Sequence, residues 1–176
     1  MAIYEENVKK EIKRMFTEGV LMSVRDVAEY CEVSLSAITQ QALLGHVDPI
    51  FIVKDSQNVS RIFYYPDIVV YKKYRQEKGK FDGYEPYLKK IDTSERQSVK
   101  KLLEKFIWNK DEVAEYLAVS SFVIDRLLKK EKLNVFYRFG DQGTRLFYVS
   151  DVKEFKLEYD TYRRFVSTTR RKRKKD

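Results

Sequence analysis

With 176 residues, 43% of them hydrophobic and 14% aromatic, the chain can bury one or two modest cores. Its 35% charged fraction implies a well-solvated surface, and no apolar run approaches the roughly 18 residues that a membrane-spanning helix needs. The net charge of +8 is local: residues 1–78 carry 11 basic and 11 acidic side chains, residues 79–166 carry 18 and 15, and residues 167–176 carry 6 and 1. A helix is predicted over 3–17, apolar at Val8, Ile12, Met15 and Phe16, with Gly19 as its stop. Ser23 then caps a helix over 24–31 that turns Val24, Val27, Ala28 and Cys31 inward, so the single cysteine is read as a buried thiol. After a turn at Glu32-Val33, Ser34 caps a second helix over 35–44. Leu35, Ile38 and Ala42 are expected to face its core, and Ser36, Thr39 and Gln40 to face outward. Gly45 closes that helix.

Ile50–Val53 and Arg61–Tyr64 read as strands around a polar loop, and Pro66-Asp67 begins a helix through Ile68, Tyr71 and Tyr74. Gly79–Asp92 is a connector whose aromatics Phe81, Tyr84 and Tyr87 imply that it packs against the fold. Helices over 94–106, 110–117 and 121–131 follow, the second capped by Asn109 with Glu112 three residues on. Strands over 135–139 and 144–148 flank the tight-turn signal Gly140-Asp141-Gln142-Gly143. Ser150 caps a last helix over 151–166. Beyond it, Arg170-Arg171-Lys172-Arg173-Lys174-Lys175 has no apolar face and is expected to be disordered until it meets an anion.

The second half repeats the first. Val27-Ala28-Glu29-Tyr30, Val33-Ser34 and Ile38 recur 86 residues on as Val113-Ala114-Glu115-Tyr116, Val119-Ser120 and Ile124. Arg61-Ile62-Phe63-Tyr64 with Asp67-Ile68 recurs 84 residues on as Arg145-Leu146-Phe147-Tyr148 with Asp151-Val152. A kept order of motifs marks a duplicated domain, and each copy is long enough to own a core. Tyr30 and Tyr116 are read as structural. Helix, tight turn, helix and then a two-stranded hairpin is the layout of a winged helix-turn-helix. The expected fold is therefore α+β and mostly α, with tandem winged helix-turn-helix domains that each carry a small two-stranded antiparallel wing. They occupy 1–78 and 93–166, with the connector at 79–92 and a disordered basic tail at 167–176.

Val-Ala-Glu-Tyr, then Val-Ser, then a hairpin ending in Arg-aliphatic-Phe-Tyr before an Asp-Ile/Val helix start is similar to the MerR-like and excisionase-like winged helices, over 21–74 and 107–157. The resemblance implies duplex DNA as the partner and a role in transcription or in a mobile element's recombination. It places Ser36, Thr39 and Gln40 against bases or phosphates, where glutamine can pair bidentately with adenine. It sets Arg61 on phosphate, with Tyr64 as a second contact. In the second copy Phe122, Asp125 and Arg126 take the places of Ser36, Thr39 and Gln40, with Lys129 and Lys130 one turn on, and Arg145 matches Arg61. Phe122 and Asp125 suit a phosphate backbone poorly, so this copy binds protein, or binds DNA only through Arg126, Lys129, Lys130 and its wing. Arg170, Arg171, Lys172 and Arg173 would act as an electrostatic clamp.

A lone histidine and a lone cysteine exclude most catalytic triads and transition-metal sites. No Gly-rich phosphate loop, His-Glu helix motif or Gly-x-Ser-x-Gly is present, so neither enzyme activity nor a cofactor is expected. His46 reads as a solvated loop residue and not a metal ligand. Cysteine usage and the acidic Glu5-Glu6 near the start, where a signal peptide carries base, point to a cytoplasmic protein, and the DNA binding implied by the resemblance would make it nucleoid-associated. The competing reading is a protein-interaction scaffold in which Phe122 and the aromatic connector at 81–87 dock a partner. A phage packaging or replication-assembly factor would fit, since small terminase subunits resemble this winged fold.

Overall fold

A computed structural model describes residues 2–54, 59–78, 93–139 and 143–172, without the side chains of 2, 78 and 162–172. The connector at 79–92, including its aromatics at 81–87, lies outside the described residues, as do Gly140, Asp141, Gln142 and residues 173–176. The fold is α+β and mostly helical, with small antiparallel sheets. In the first half α1 (Ala2–Thr17) leads to β1 (Leu21–Ser23), α2 (Val24–Cys31), α3 (Leu35–Leu43), β2 (Phe51–Lys54), β3 (Val59–Tyr64) and α4 (Tyr65–Lys78). The second half keeps the order: α5 (Ser94–Phe106), β4 (Ile107–Trp108), α6 (Lys110–Leu117), α7 (Ser121–Lys129), β5 (Tyr137–Arg138), β6 (Arg145–Tyr148) and α8 (Val149–Lys172).

Equivalent local chemistry builds equivalent helices. The Ser23 hydroxyl accepts from the Asp26 N–H at 3.2 Å while the Asp26 carboxylate accepts from the Ser23 N–H at 2.7 Å. Asn109 and Glu112 repeat that exchange at 2.9 and 2.6 Å, so two otherwise orphaned donors are satisfied at the start of both α2 and α6. Each of these helices ends in a left-handed residue that is not glycine, Glu32 at φ 56° and Ala118 at φ 52°. The next N–H, of Val33 or Val119, then returns to the carbonyl of Ala28 or Ala114. Lys72 on α4 donates to the Tyr30 carbonyl at 2.6 Å and lies over the Tyr30 ring. Lys156 on α8 does the same for Tyr116 at 2.7 Å. The repeated tyrosine thus anchors the last helix of its copy through a cation on its ring.

Each sheet has three strands where the sequence suggests two, in the order β1-β3-β2 and β4-β6-β5. The added strands are only three and two residues long, with Leu21 opposite Tyr64 and Ile107 opposite Tyr148. Their residues are largely buried on both faces, so they lack the polar alternation that marks a half-exposed strand.

Alternation along the strands divides the core in three. Met22 and Phe63 point to a private core with α2, α3 and α4 (Val27, Ile38, Ile68, Tyr71), and Phe147 points to the matching core of Val113, Leu117, Ile124 and Val152. Leu21, Ile62 and Tyr64 point the other way and meet Leu146 and Tyr148 of the second copy in one shared cluster with Ile12, Phe16, Leu103 and Phe106. The two sheets therefore face each other across a common core, and the α2–α3 and α6–α7 pairs lie on its outer sides. Ser60 and Thr144, which correspond in the repeat, hydrogen-bond to each other through their hydroxyls. A contact between a residue and its own equivalent places a pseudo-twofold axis between them.

The leading helix of each copy also ties into the other copy. Lys9 on α1 pairs with Asp151 at 2.7 Å, and Arg96 on α5 pairs with the equivalent Asp67 at 2.7 Å and with Asp48 at 2.8 Å. The Tyr148 hydroxyl donates to the Glu5 carbonyl at 2.7 Å.

Four further details depart from the sequence expectations. The Ser150 hydroxyl, expected to cap α8, lies inside the helix and donates to the Glu5 carboxylate at 2.7 Å. Leu35, expected in the core, is 47% exposed, and His46, expected to be solvated, is half-buried against the Gln41 carboxamide at 2.8 Å. The last helix runs to Lys172, so 167–172 are helical where a disordered tail is expected. Arginine and lysine are good helix formers once a helix is already running.

Candidate nucleic-acid interface

α3 carries the residues that the winged-helix resemblance assigns to DNA. Ser34 caps it by accepting from the Ala37 N–H at 3.2 Å, and Ile38 anchors its inner side. The hydrophilic side then presents Ser36 and Gln40 to solvent, with Thr39 half-buried between them. Ser36 shares a 2.9 Å hydrogen bond with Ser34, and the Thr39 hydroxyl donates to the Leu35 carbonyl at 2.9 Å, leaving the Gln40 carboxamide as the adaptable group. Arg61 on β3 is on the strand face that looks toward α3, because Phe63 two residues on enters the private core. Arg61 and Thr39 line one groove. The Arg61 side chain has no hydrogen-bond or ion-pair partner among the described residues.

Tyr64 is not part of this face. It is 3% exposed, in the shared core, and within reach of the charge of Glu95 on the other copy's leading helix. Burial first, then the neighbouring Glu95 carboxylate, pushes its pKa up to about 12. Three residues on from Arg61, it lies on the opposite strand face, so the expected phosphate contact is corrected to an inter-copy contact. Tyr148, its equivalent, is likewise pushed up to about 12 by burial and then by the charges of Glu5 and Asp151.

The second copy places its counterparts differently. Arg145 donates to Asp125 at 2.9 Å, and Lys110 donates to the other oxygen of the same carboxylate at 2.7 Å. Burial works to raise the Asp125 pKa, but the Lys110 and Arg145 hydrogen bonds and charges outweigh it and hold the carboxyl below its ordinary value. Arg145, expected on phosphate, is therefore already neutralised by the residue that replaces Thr39. Arg126 and Lys129 are exposed on α7 and Lys130 just after it, and Phe122 stands out at 74% exposure. Arg170, Arg171 and Lys172 lie on the helical backbone of α8, and Arg173 is outside the described residues.

One residue that sequence reasoning passed over joins the first copy's groove. Arg25, just after the Ser23 cap, is exposed, lines the groove with Arg61, and has no partner among the described residues. Its signal was available: the repeat sets Arg25 against Asp111, a reversal of charge at one position of the motif. Among the described residues no group of His, Cys, Asp and Glu is placed to hold a metal ion, and no helix is long and apolar enough to cross a membrane. Comparison with protein-family models, curated proteins and solved structures finds no match.

Proposed function

We propose that this is a duplex DNA-binding protein of two winged helix-turn-helix units docked back to back, in which the first unit reads DNA and the second is electrostatically closed. The observation that carries the reading is Arg61, a wing cation with no counter-ion among the described residues, in one groove with Thr39 of α3, the helix that exposes Ser36 and Gln40. In this arrangement α3 enters a major groove, Gln40 reads a base edge, and Arg61 holds the adjacent phosphate. The helical basic end of α8, with Arg170, Arg171 and Lys172, supplies further phosphate contacts. The biological role that fits is a transcriptional regulator or an excisionase-like architectural factor, acting at the nucleoid.

The test is duplex binding across a salt series by the full chain and by a chain ending at Val166, each with and without Arg61→Ala. Removing one phosphate contact is expected to weaken binding by about tenfold and to flatten the salt slope by about 0.9. Unchanged affinity in Arg61→Ala would remove the first unit from the interface.

A second reading rests on Phe122. A large apolar side chain at 74% exposure beside a sealed Asp125–Arg145–Lys110 cluster suits a protein contact better than a phosphate backbone. If DNA binding vanishes in the chain ending at Val166, the folded units are docking modules and this reading prevails.

A further inference from the structure

The groove beside α3 is not made by the first copy alone. Arg25, Thr39 and Arg61 line it from one side of the pseudo-twofold axis, and Tyr137, Phe139 and Thr144 of the second copy line it from the other. It encloses about 590 Å³, and the Ser60–Thr144 hydrogen bond ties its two linings together. Phe139 and Tyr137 are held in place by Phe16 of α1, with ring centroids 5.9 and 4.2 Å away.

The duplication supplies an internal control for what this groove is for. In the second copy the positions matching Arg25, Thr39 and Arg61 are Asp111, Asp125 and Arg145, and each of them has a partner. Asp125 takes both Lys110 and Arg145, and Asp111 accepts from the Ser121 hydroxyl at 3.1 Å. In the first copy the same positions hold two arginines without a partner among the described residues. Among the described residues the one carboxylate lining that groove, Asp26, is engaged in capping α2 at 2.7 Å. Two guanidinium groups, hydroxyls and aromatic rings along one channel match a phosphodiester strand, with phosphates on the arginines and a sugar or base against a ring.

We infer that this composite groove seats one backbone strand of the bound DNA, so that the second copy's hairpin completes the first copy's binding site. The inference rests on the DNA reading above and adds to it Arg25 and a wall from the other copy. It also gives the second copy a part in binding that does not require α7 to touch DNA.

The experiment uses the full chain and a duplex at low salt. A photo-cross-linking benzoylphenylalanine replaces Phe139 in one sample and Phe122 in another, and Arg25→Ala and Val59→Glu are titrated alongside Arg61→Ala. Arg25 and Val59 are both exposed, so these two changes spare the core. The expected result is a DNA cross-link from position 139 and none from 122, with about tenfold weaker binding in Arg25→Ala and a salt slope lower by about 0.9. Val59→Glu, which sets a carboxylate in the groove, is expected to weaken binding at least as much. If Arg61→Ala weakens binding while Arg25→Ala and Val59→Glu do not, and position 139 yields no cross-link, the groove is overturned and the first-copy reading stands. If inorganic tripolyphosphate at matched ionic strength displaces the duplex and no cross-link forms, the groove is a small-anion site and the strand assignment falls. If the unaltered chain binds no duplex at low salt, both readings fall together.

Discussion

Tyr64 and Tyr148 stand at equivalent positions 84 residues apart and do the same work, each buried in the shared core with its hydroxyl directed to a glutamate of the opposite leading helix. Thr39 and Asp125 also stand at equivalent positions and do opposite work. Thr39 leaves Arg61 without a counter-ion among the described residues, whereas Asp125 neutralises Arg145 and Lys110. The likeness lies where the copies face one another and the difference where they face outward. On the pseudo-twofold axis each copy is the other's partner, so the same residue solves both halves of the interface. An outward helix answers only to what it binds, and nothing in the fold obliges α3 and α7 to carry the same face.

The comparison breaks most sharply at the two inter-copy ion pairs. Asp67 and Asp151 are repeat equivalents, but Arg96 and Asp67 are 8% and 4% exposed, whereas the side chains of Lys9 and Asp151 are 30% and 29% exposed. Burial alone would lower the Arg96 pKa, yet the hydrogen bond and charge of Asp67, backed by Asp48, raise it above the ordinary arginine value. Arg96→Ala would strand a buried carboxylate and is expected to cost about 3–5 kcal/mol. Lys9→Ala, at a solvated pair, should cost under about 1 kcal/mol. Urea denaturation of both variants measures this, and equal losses would mean that the pseudo-symmetry extends to energetics.

Next in size is a prediction on which the copies should agree. Tyr64 and Tyr148 are each pushed up to about 12 when folded, above the ordinary tyrosine value of about 10. A raised folded pKa lends stability that is fully present below pH 10 and is lost as pH rises toward 12, here about 3 kcal/mol per tyrosine. Denaturation midpoints should therefore fall between pH 10 and 12, and Tyr64→Phe and Tyr148→Phe should each flatten that fall by a similar amount. A flattening in one variant only would show that one hydroxyl is solvated.

Much of this was legible in the sequence because it is local. Helical periodicity placed α5 at its observed bounds, the capping residues Ser23, Ser34 and Asn109 act as expected, and the buried thiol of Cys31 follows from its position on α2. What escaped was long-range. That Tyr64 is covered follows from the second sheet lying over β3, and no pattern within 61–64 reports a neighbour more than 80 residues away. The Asp125–Arg145 pair joins a helix to a strand 20 residues on, a separation that carries no periodic signal. Asp67 and Asp151 were visible in the repeated motif as helix starts, but their partners lie on leading helices whose offset differs from that of the motif.

The smallest expected effect is the most informative about function, because it asks whether the outward difference is the cause of the division of labour. If Asp125 alone silences the second copy, Asp125→Thr restores the residue found in the first and releases Arg145 and Lys110 together. The cost in stability should be small, since each of the two ion pairs is partly solvated and worth about 0–1 kcal/mol. The gain should appear in DNA binding as a salt slope steeper by about 1–2, with affinity at low salt improved by severalfold. Arg145→Ala in the unaltered chain should leave DNA affinity where it was, because that arginine is already engaged, but should abolish the gain when combined with Asp125→Thr. If Arg145→Ala alone weakens binding as much as Arg61→Ala does, Asp125 gives way to phosphate on binding. The second copy would then be a reader in its own right, held closed only while DNA is absent.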